Sequence, residues 1–149
     1  MISKAGMIEP LLAASPSFAT EWEAFLQEWA EESADLPLYL ALSAFARHVV
    51  ALLEANDTGQ LARVFDAIEL LHLQGDGYVR EAATVGLLED LQNTNLHRTT
   101  RPDQLRQFLR PESALWWDRL DRFWLAVGAV SEAAAKAPSK RSRGGSAAG

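Results

Sequence analysis

Glu69 and His72 stand three residues apart in Glu-Leu-Leu-His. That is the spacing with which carboxylate-bridged di-iron bundles present metal ligands from a helix. Such a centre needs the motif twice, with two further glutamates from other helices. The chain has three histidines, and the residues three before His48 and His97 are Phe45 and Thr94, so the motif is not repeated. His72 then reads as a histidine near a helix end, where the carbonyl end of the macrodipole favours it. We expect no bound metal and no cofactor.

Nucleophilic chemistry finds as little in the chain. There is no cysteine, which removes thiolates, disulfides and Cys-based metal sites together. No Gly-x-Ser-x-Gly elbow occurs, and no serine has an activating neighbour in sequence. Adjacent acids such as Glu31-Glu32 and Glu89-Asp90 are frequent, but neighbours on a helix point about 100° apart. They read as solvated surface. The only Gly-Gly pair, Gly144-Gly145, sits in the tail rather than in a phosphate loop. The expectation is a non-enzyme with no catalytic residues; a site assembled from scattered helical residues is the alternative.

The elements that would position any site are helices. Ser15-Pro16 is a start signal, and Phe18, Trp22, Phe25, Leu26 and Trp29 then recur every three or four residues as an aromatic stripe. Leu36-Pro37 opens a second helix, with Leu38, Leu42, Phe45, Val49, Leu52 and Leu53 inward, closed by the turn residues Asn56-Asp57-Thr58-Gly59. A third runs through Leu61, Val64, Phe65, Ile68 and Leu71 to a glycine stop at Gly75. Asp76 caps a fourth, whose apolar side is Val79, Ala82, Ala83, Leu87 and Leu91, with Arg80 placed to pair with Asp76. A loop over 94–100, a short helix from Pro102 to about Leu109 and a long helix from Pro111 follow. On the last, Trp116, Leu120, Phe123, Trp124, Val127 and Val130 form the stripe, which turns Trp117 toward the edge. The reading is a compact all-α bundle of five to seven helices over 1–137, with a disordered basic Gly/Ser tail over 138–149.

Net charge is −6, unevenly spread. Between Ala5 and Ala46 there are seven acids (Glu9, Glu21, Glu23, Glu28, Glu31, Glu32, Asp35) and no Lys or Arg. The tail holds Lys140, Arg141 and Arg143 without an acid; setting them aside leaves 11 bases against 20 acids, or −9. Nucleic-acid binding needs a basic footprint that this body lacks. Arg98, Arg101, Arg106 and Arg110 form the one basic stretch, and we expect them to pair with the acidic N-terminal helix. No apolar run approaches the ~18 residues of a membrane span. We expect no nucleic acid, no membrane and a cytoplasmic location.

Asp76-x-x-Val79-Arg80-x-Ala82-Ala83 followed by Leu87-Leu88 resembles the second helix of a HEAT repeat, with Leu61–Leu73 as the first. The resemblance covers Gly59–Asn93. It implies an antiparallel helix pair packed closely at Ala82, Ala83 and Gly86, with a protein-binding face. Only one such unit is present, whereas about three are needed to make a solenoid. More loosely, the chain is similar to small acidic all-helical bacterial proteins, some of which are immunity proteins. These readings converge on a protein-binding module of immunity or antitoxin type that occludes a basic partner, such as a nuclease toxin. Its expected binding residues are Glu21, Glu28, Glu31, Glu32, Tyr78, Glu81 and Trp117. A scaffold or adaptor without inhibitory action is the alternative, and the sequence leaves the oligomeric state open.

Overall fold

The computed structural model describes residues 1–31 and 36–136, with no side chain beyond residue 134. Two aspartates set its central hairpin. The Asp57 carboxylate accepts the Gln60 N–H (3.1 Å) and starts α4, Thr58–Gln74. The Asp76 carboxylate accepts the Val79 N–H (2.9 Å) and starts α5 two residues after α4 ends. Each satisfies one of the donors a helix N-terminus leaves orphaned, worth about 1 kcal/mol. The pairing of Asp76 with Arg80 does not form, because the aspartate is turned to the backbone.

Gly75 breaks the chain between these helices for a spatial reason. Its backbone is extended (φ −74°, ψ 152°), so no left-handed conformation requires glycine. A Cβ there would meet the Leu71 carbonyl oxygen and lie 2.5 Å from Val79 Cγ1. The N-terminus exploits the same gap: Ile2 donates to the Gln74 carbonyl (2.7 Å) and accepts from the Asp76 N–H (2.8 Å). That single bridge is the nearest approach to a strand among the described residues. The fold is all-α.

The remaining helices are α1 (Ile8–Ala14), α2 (Ala19–Glu28), α3 (Leu38–Glu54) and α6 (Pro111–Lys136). Tighter 3₁₀ turns cover Lys4–Gly6, Pro16–Phe18, Thr94–Leu96 and Pro102–Phe108. Helix α5, residues 77–91, is α-helical at its ends and a π-helix over Ala82–Leu88, where Glu89 N–H bonds back to the Thr84 carbonyl. The core is the apolar face of α3 (Leu38, Leu42, Phe45, Val49) against α4 (Leu61, Val64, Phe65, Ile68, Leu71) and α5 (Val79, Ala82, Ala83, Leu87, Leu91). Period-3.6 spacing in the sequence located all three faces. Asn56, at φ 58°, makes the left-handed turn from α3 to α4.

The small residues of α5 are used differently from the expectation. They admit α3 rather than pressing α5 onto α4: a Cβ on Gly86 would lie 2.9 Å from Leu42 Cδ1 and 3.5 Å from the Tyr39 ring. The π segment packs chiefly on α3.

Two stripes are less covered than their periodicity implied. Helix α2 has no buried residue, and of its stripe only Phe18, just before it, lies in the core. On α6 the order of the tryptophans is reversed. Trp117 is 1% exposed and Trp116 only half-buried, with Nε1 donating to Glu112 (3.2 Å). Trp117 is therefore a core residue, and its expected role as a partner contact is corrected on that ground. The chain divides into two compact units, Met1–Trp117 and Asp118–Gly149. In the second, taken by itself, α6 leaves Phe123, Trp124, Val127 and Val130 exposed. Glu32 and the expected tail over 138–149 lie outside the described residues.

The two glycine sites separate by substitution. At Gly75 the obstacles are a carbonyl and a Cβ, which cannot swing away; at Gly86 the nearest is the tip of a leucine. Gly75→Ala lowers unfolding free energy by about 1–3 kcal/mol. Gly86→Ala changes it by less than about 1 kcal/mol, because helix propensity offsets repacking. Urea denaturation of the two variants checks the order.

Candidate functional site

Helix α2 places Glu21, Glu23 and Glu28 in solvent with no base among its residues. Its aromatic stripe is half-buried: Trp22 stacks on Phe25 (5.5 Å, 14°), and Phe25 meets Trp29 at 6.3 Å. A groove of about 420 Å³ separates α2 from α3. Ala24, Phe25, Trp29, Leu40 and Ala44 give it apolar walls, and Glu21, Glu28 and Arg47 supply charge. Two of the residues singled out in the sequence, Glu21 and Glu28, thus meet at one groove, and Glu31 is exposed just past α2.

Tyr78 and Glu81 lie elsewhere, on the first turns of α5 beside the start of α3. Tyr78 packs edge-on against Tyr39 (6.2 Å), with the Lys4 ammonium 5.3 Å from its ring. Burial, then the Glu81 charge, raises the Tyr39 hydroxyl above its ordinary value. Glu81 also borders a depression of about 370 Å³ beside the π segment, with Arg80, Thr84, Val85 and Trp116. Two arginines of the stretch pair inside the chain. Arg110 meets Asp66 of α4 at 3.4 Å, and Arg106 meets Asp103 in its own turn at 3.5 Å. Phe108 stacks on Phe65 (6.1 Å, 23°).

Two polar clusters escaped the sequence, because their members come together only through tertiary packing. In the first, His48 Nε2 of α3 faces Ser17 Oγ (2.9 Å) and Ser15 Oγ (3.0 Å), with Glu21 3.8 Å from Nδ1. Serine, imidazole and carboxylate in that order is the composition of an activated nucleophile. The hydrogens, however, are already assigned. Both serine hydroxyls donate to Gln60 Oε1 (2.5 and 2.9 Å), which leaves His48 Nε2–H to donate to the serine oxygens, while Gln60 Nε2 donates to Asp57 (2.8 Å). The Glu21 distance exceeds hydrogen-bond range. The cluster closes on itself and ties the α1–α2 turn to α3 and α4.

In the second cluster, Glu69 of α4 caps α6. Its carboxylate accepts the N–H groups of Glu112 (2.9 Å) and Ser113 (2.9 Å) and the Ser113 hydroxyl (2.8 Å). Burial pushes the Glu69 carboxyl up, but these three donors outweigh it and hold it below the usual carboxylate range. One turn on, the buried His72 ring has Nδ1 at 3.0 Å from the Ile68 carbonyl and Nε2 at 3.0 Å from Thr84 Oγ1. Thr84 also lies 3.1 Å from the Arg80 carbonyl. With Nδ1–H donating to Ile68, Nε2 of the neutral ring and the Arg80 carbonyl share the one Thr84 hydroxyl hydrogen. Burial lowers its basicity; the Ile68 carbonyl and the charges of Glu69 and Glu112 only partly compensate. The Glu69-x-x-His72 spacing thus serves a helix cap and a core hydrogen bond. Among the described residues no group of three or more His, Asp or Glu is placed to hold a metal ion. No described helix is long and apolar enough to cross a membrane.

The pH dependence follows from these directions. A lowered carboxyl contributes stability above its ordinary value of about 4.5, lost as pH falls through its folded value. A lowered histidine contributes fully above 6.5 and progressively less below, because the unfolded ring takes up a proton that the folded ring resists. His48, lowered by burial against the raising effect of Glu21, acts in the same window. Unfolding free energy therefore declines as pH falls from 7 toward 5, and His72→Gln flattens part of that decline in denaturation series at each pH. Glu69→Ala costs on the order of 1–2 kcal/mol at pH 7.

Neither curated proteins nor solved structures offer a match to this chain. One family model does match, spanning residues 8–125 and so taking in both polar clusters and the groove. The chain belongs to the family of the domain of unknown function DUF7674.

Proposed function

We propose that the protein is a protein-binding module of immunity or antitoxin type, which takes a basic partner on α2 and in the groove between α2 and α3. The observation behind this reading is the state of α2: its aromatic stripe is only half-buried, Phe25 and Trp29 line a groove, and every charge on the helix is negative. A monomer gains little by leaving such a helix without one buried side chain, since apolar contact is what holds helices in place. The groove suits the apolar side of a partner segment, with Trp29 and Phe25 as aromatic anchors. Glu21, Glu28 and Glu31 attract lysines or arginines flanking that segment, and one-signed charge chiefly raises the association rate. Blocking is steric: a basic toxin held here has its own surface covered. Tyr78 and Glu81 form a second, smaller contact in this reading. A bacterial cytoplasm, where an antitoxin meets its toxin, is the expected setting.

The test uses a synthetic amphipathic helical peptide with lysines on its polar face, and the same peptide with glutamates instead. Tryptophan fluorescence of the full chain reports binding. The lysine peptide binds, its affinity falls as salt rises, and Glu21→Lys/Glu28→Lys weakens it about tenfold, or about 1.4 kcal/mol. Equal binding of the glutamate peptide, or an unchanged constant in the double variant, refutes the site. Stoichiometric inhibition of a basic toxin encoded beside this gene separates an antitoxin from an adaptor, which binds without inhibiting.

A further inference from the structure

The second unit carries a pattern that α2 and its groove do not use. From Leu120 one apolar line along α6 runs through Phe123, Val127, Val130 and Ala134, in alternating steps of three and four. That is an a/d seam, the repeat of a left-handed two-helix coil. Leu120 is half-buried, and every residue from Arg122 to Ala134 is exposed, with Phe123 at 56% and Val130 at 69%. A helix of this length is marginal in water unless its apolar face is packed.

We infer that this stretch of α6 pairs, antiparallel, with the same stretch of a second copy of the chain. Bulk is graded along the helix. Leu120, Phe123 and Trp124 lie at one end, with Phe123 and Trp124 edge to face at 5.1 Å; Ser131, Ala133 and Ala134 lie at the other. A parallel pair would set ring against ring at one level and leave the alanine end hollow. In the antiparallel pair Phe123 faces Ala134, Val127 faces Val130, and Trp124 is level with Ala133. The two-fold axis then passes between Gly128 and Ala129, where small residues allow close approach. Charge selects the same occupant. No charged residue lies between Phe123 and Ser131, so nothing there recognises a charged partner or repels an identical helix. Such an interface is isologous, as two-fold dimers require.

Sedimentation of the full chain tests this, together with crosslinking that exploits its lack of cysteine. The wild type sediments at twice the chain mass. Val127→Glu weakens the dimer more than about a hundredfold, while Leu125→Glu, on the opposite side of the helix and 73% exposed, leaves it intact. An unchanged cooperative unfolding transition in urea shows that the first unit stays folded in each variant. Under mild oxidation a mixture of Val127→Cys and Val130→Cys chains joins the two different chains in preference to like with like. A monomeric wild type, a dimer that survives Val127→Glu, or Val127→Cys joining chiefly to itself each overturns the proposal.

Discussion

The close approach of α3 to the π segment of α5 at Gly86 is the constraint on which the rest of the first unit depends. A side chain bulkier than a methyl group at that point would hold the helices apart, and α3 would lose its packing on the π segment. Apolar burial scales with area and packing with distance, so a small separation there would weaken every layer above it. The approach also fixes the outward side of α3. Leu40, Ala44 and Arg47 face α2 because Leu38, Leu42 and Phe45 are committed to α4 and α5. The groove is a consequence of that commitment.

Around this contact the polar groups act as ties between elements distant in sequence. Glu69 fixes the start of α6 from α4, and His72 joins α4 to α5 through Thr84. Gln60, His48 and the two serines hold the α1–α2 turn against α3 and α4. Ser43 on α3 donates to Asp90 on α5 at 2.7 Å, and Gln92 donates to the Trp117 carbonyl at 2.9 Å. Buried polar groups cost free energy unless paired, and here the pairing fixes which helix meets which. Among the described residues, helix α2 has no such hydrogen bond along its own length, only the approach of Glu21 to His48 at 3.8 Å. It keeps a charged side and a half-covered aromatic side, which is why binding and not catalysis is the chemistry read from it.

The π-helix over Ala82–Leu88 bears on both points. A seven-residue run is long for a form that usually occurs as a single-turn bulge. It turns Thr84 inward to His72 while leaving Val85 and Glu81 at the surface depression beside Trp116. Gly86 and the alanines thus do two things at once. They admit α3, and they leave room for a wider helix.

Composition and spacing by themselves determined the helical class, the faces of α3, α4 and α5, the cap at Asp76, and the excess of acid before Ala46. These are local properties: a 3.6-residue period and a capping carboxylate act within a turn or two of where they are written. Tertiary structure decided what the sequence could not. Trp116 and Trp117 are adjacent and chemically alike, and only the position of neighbouring helices sends one to the core and the other to its edge. The stripes of α2 and α6 have the same periodicity as those of α3 and α4 but are less covered, because period reports which side is apolar and not how much packs on it. The Ser15–Ser17–His48–Gln60 and Glu69–His72–Thr84–Ser113 clusters join residues up to 45 positions apart. No spacing rule along the chain registers a hydrogen bond made across it.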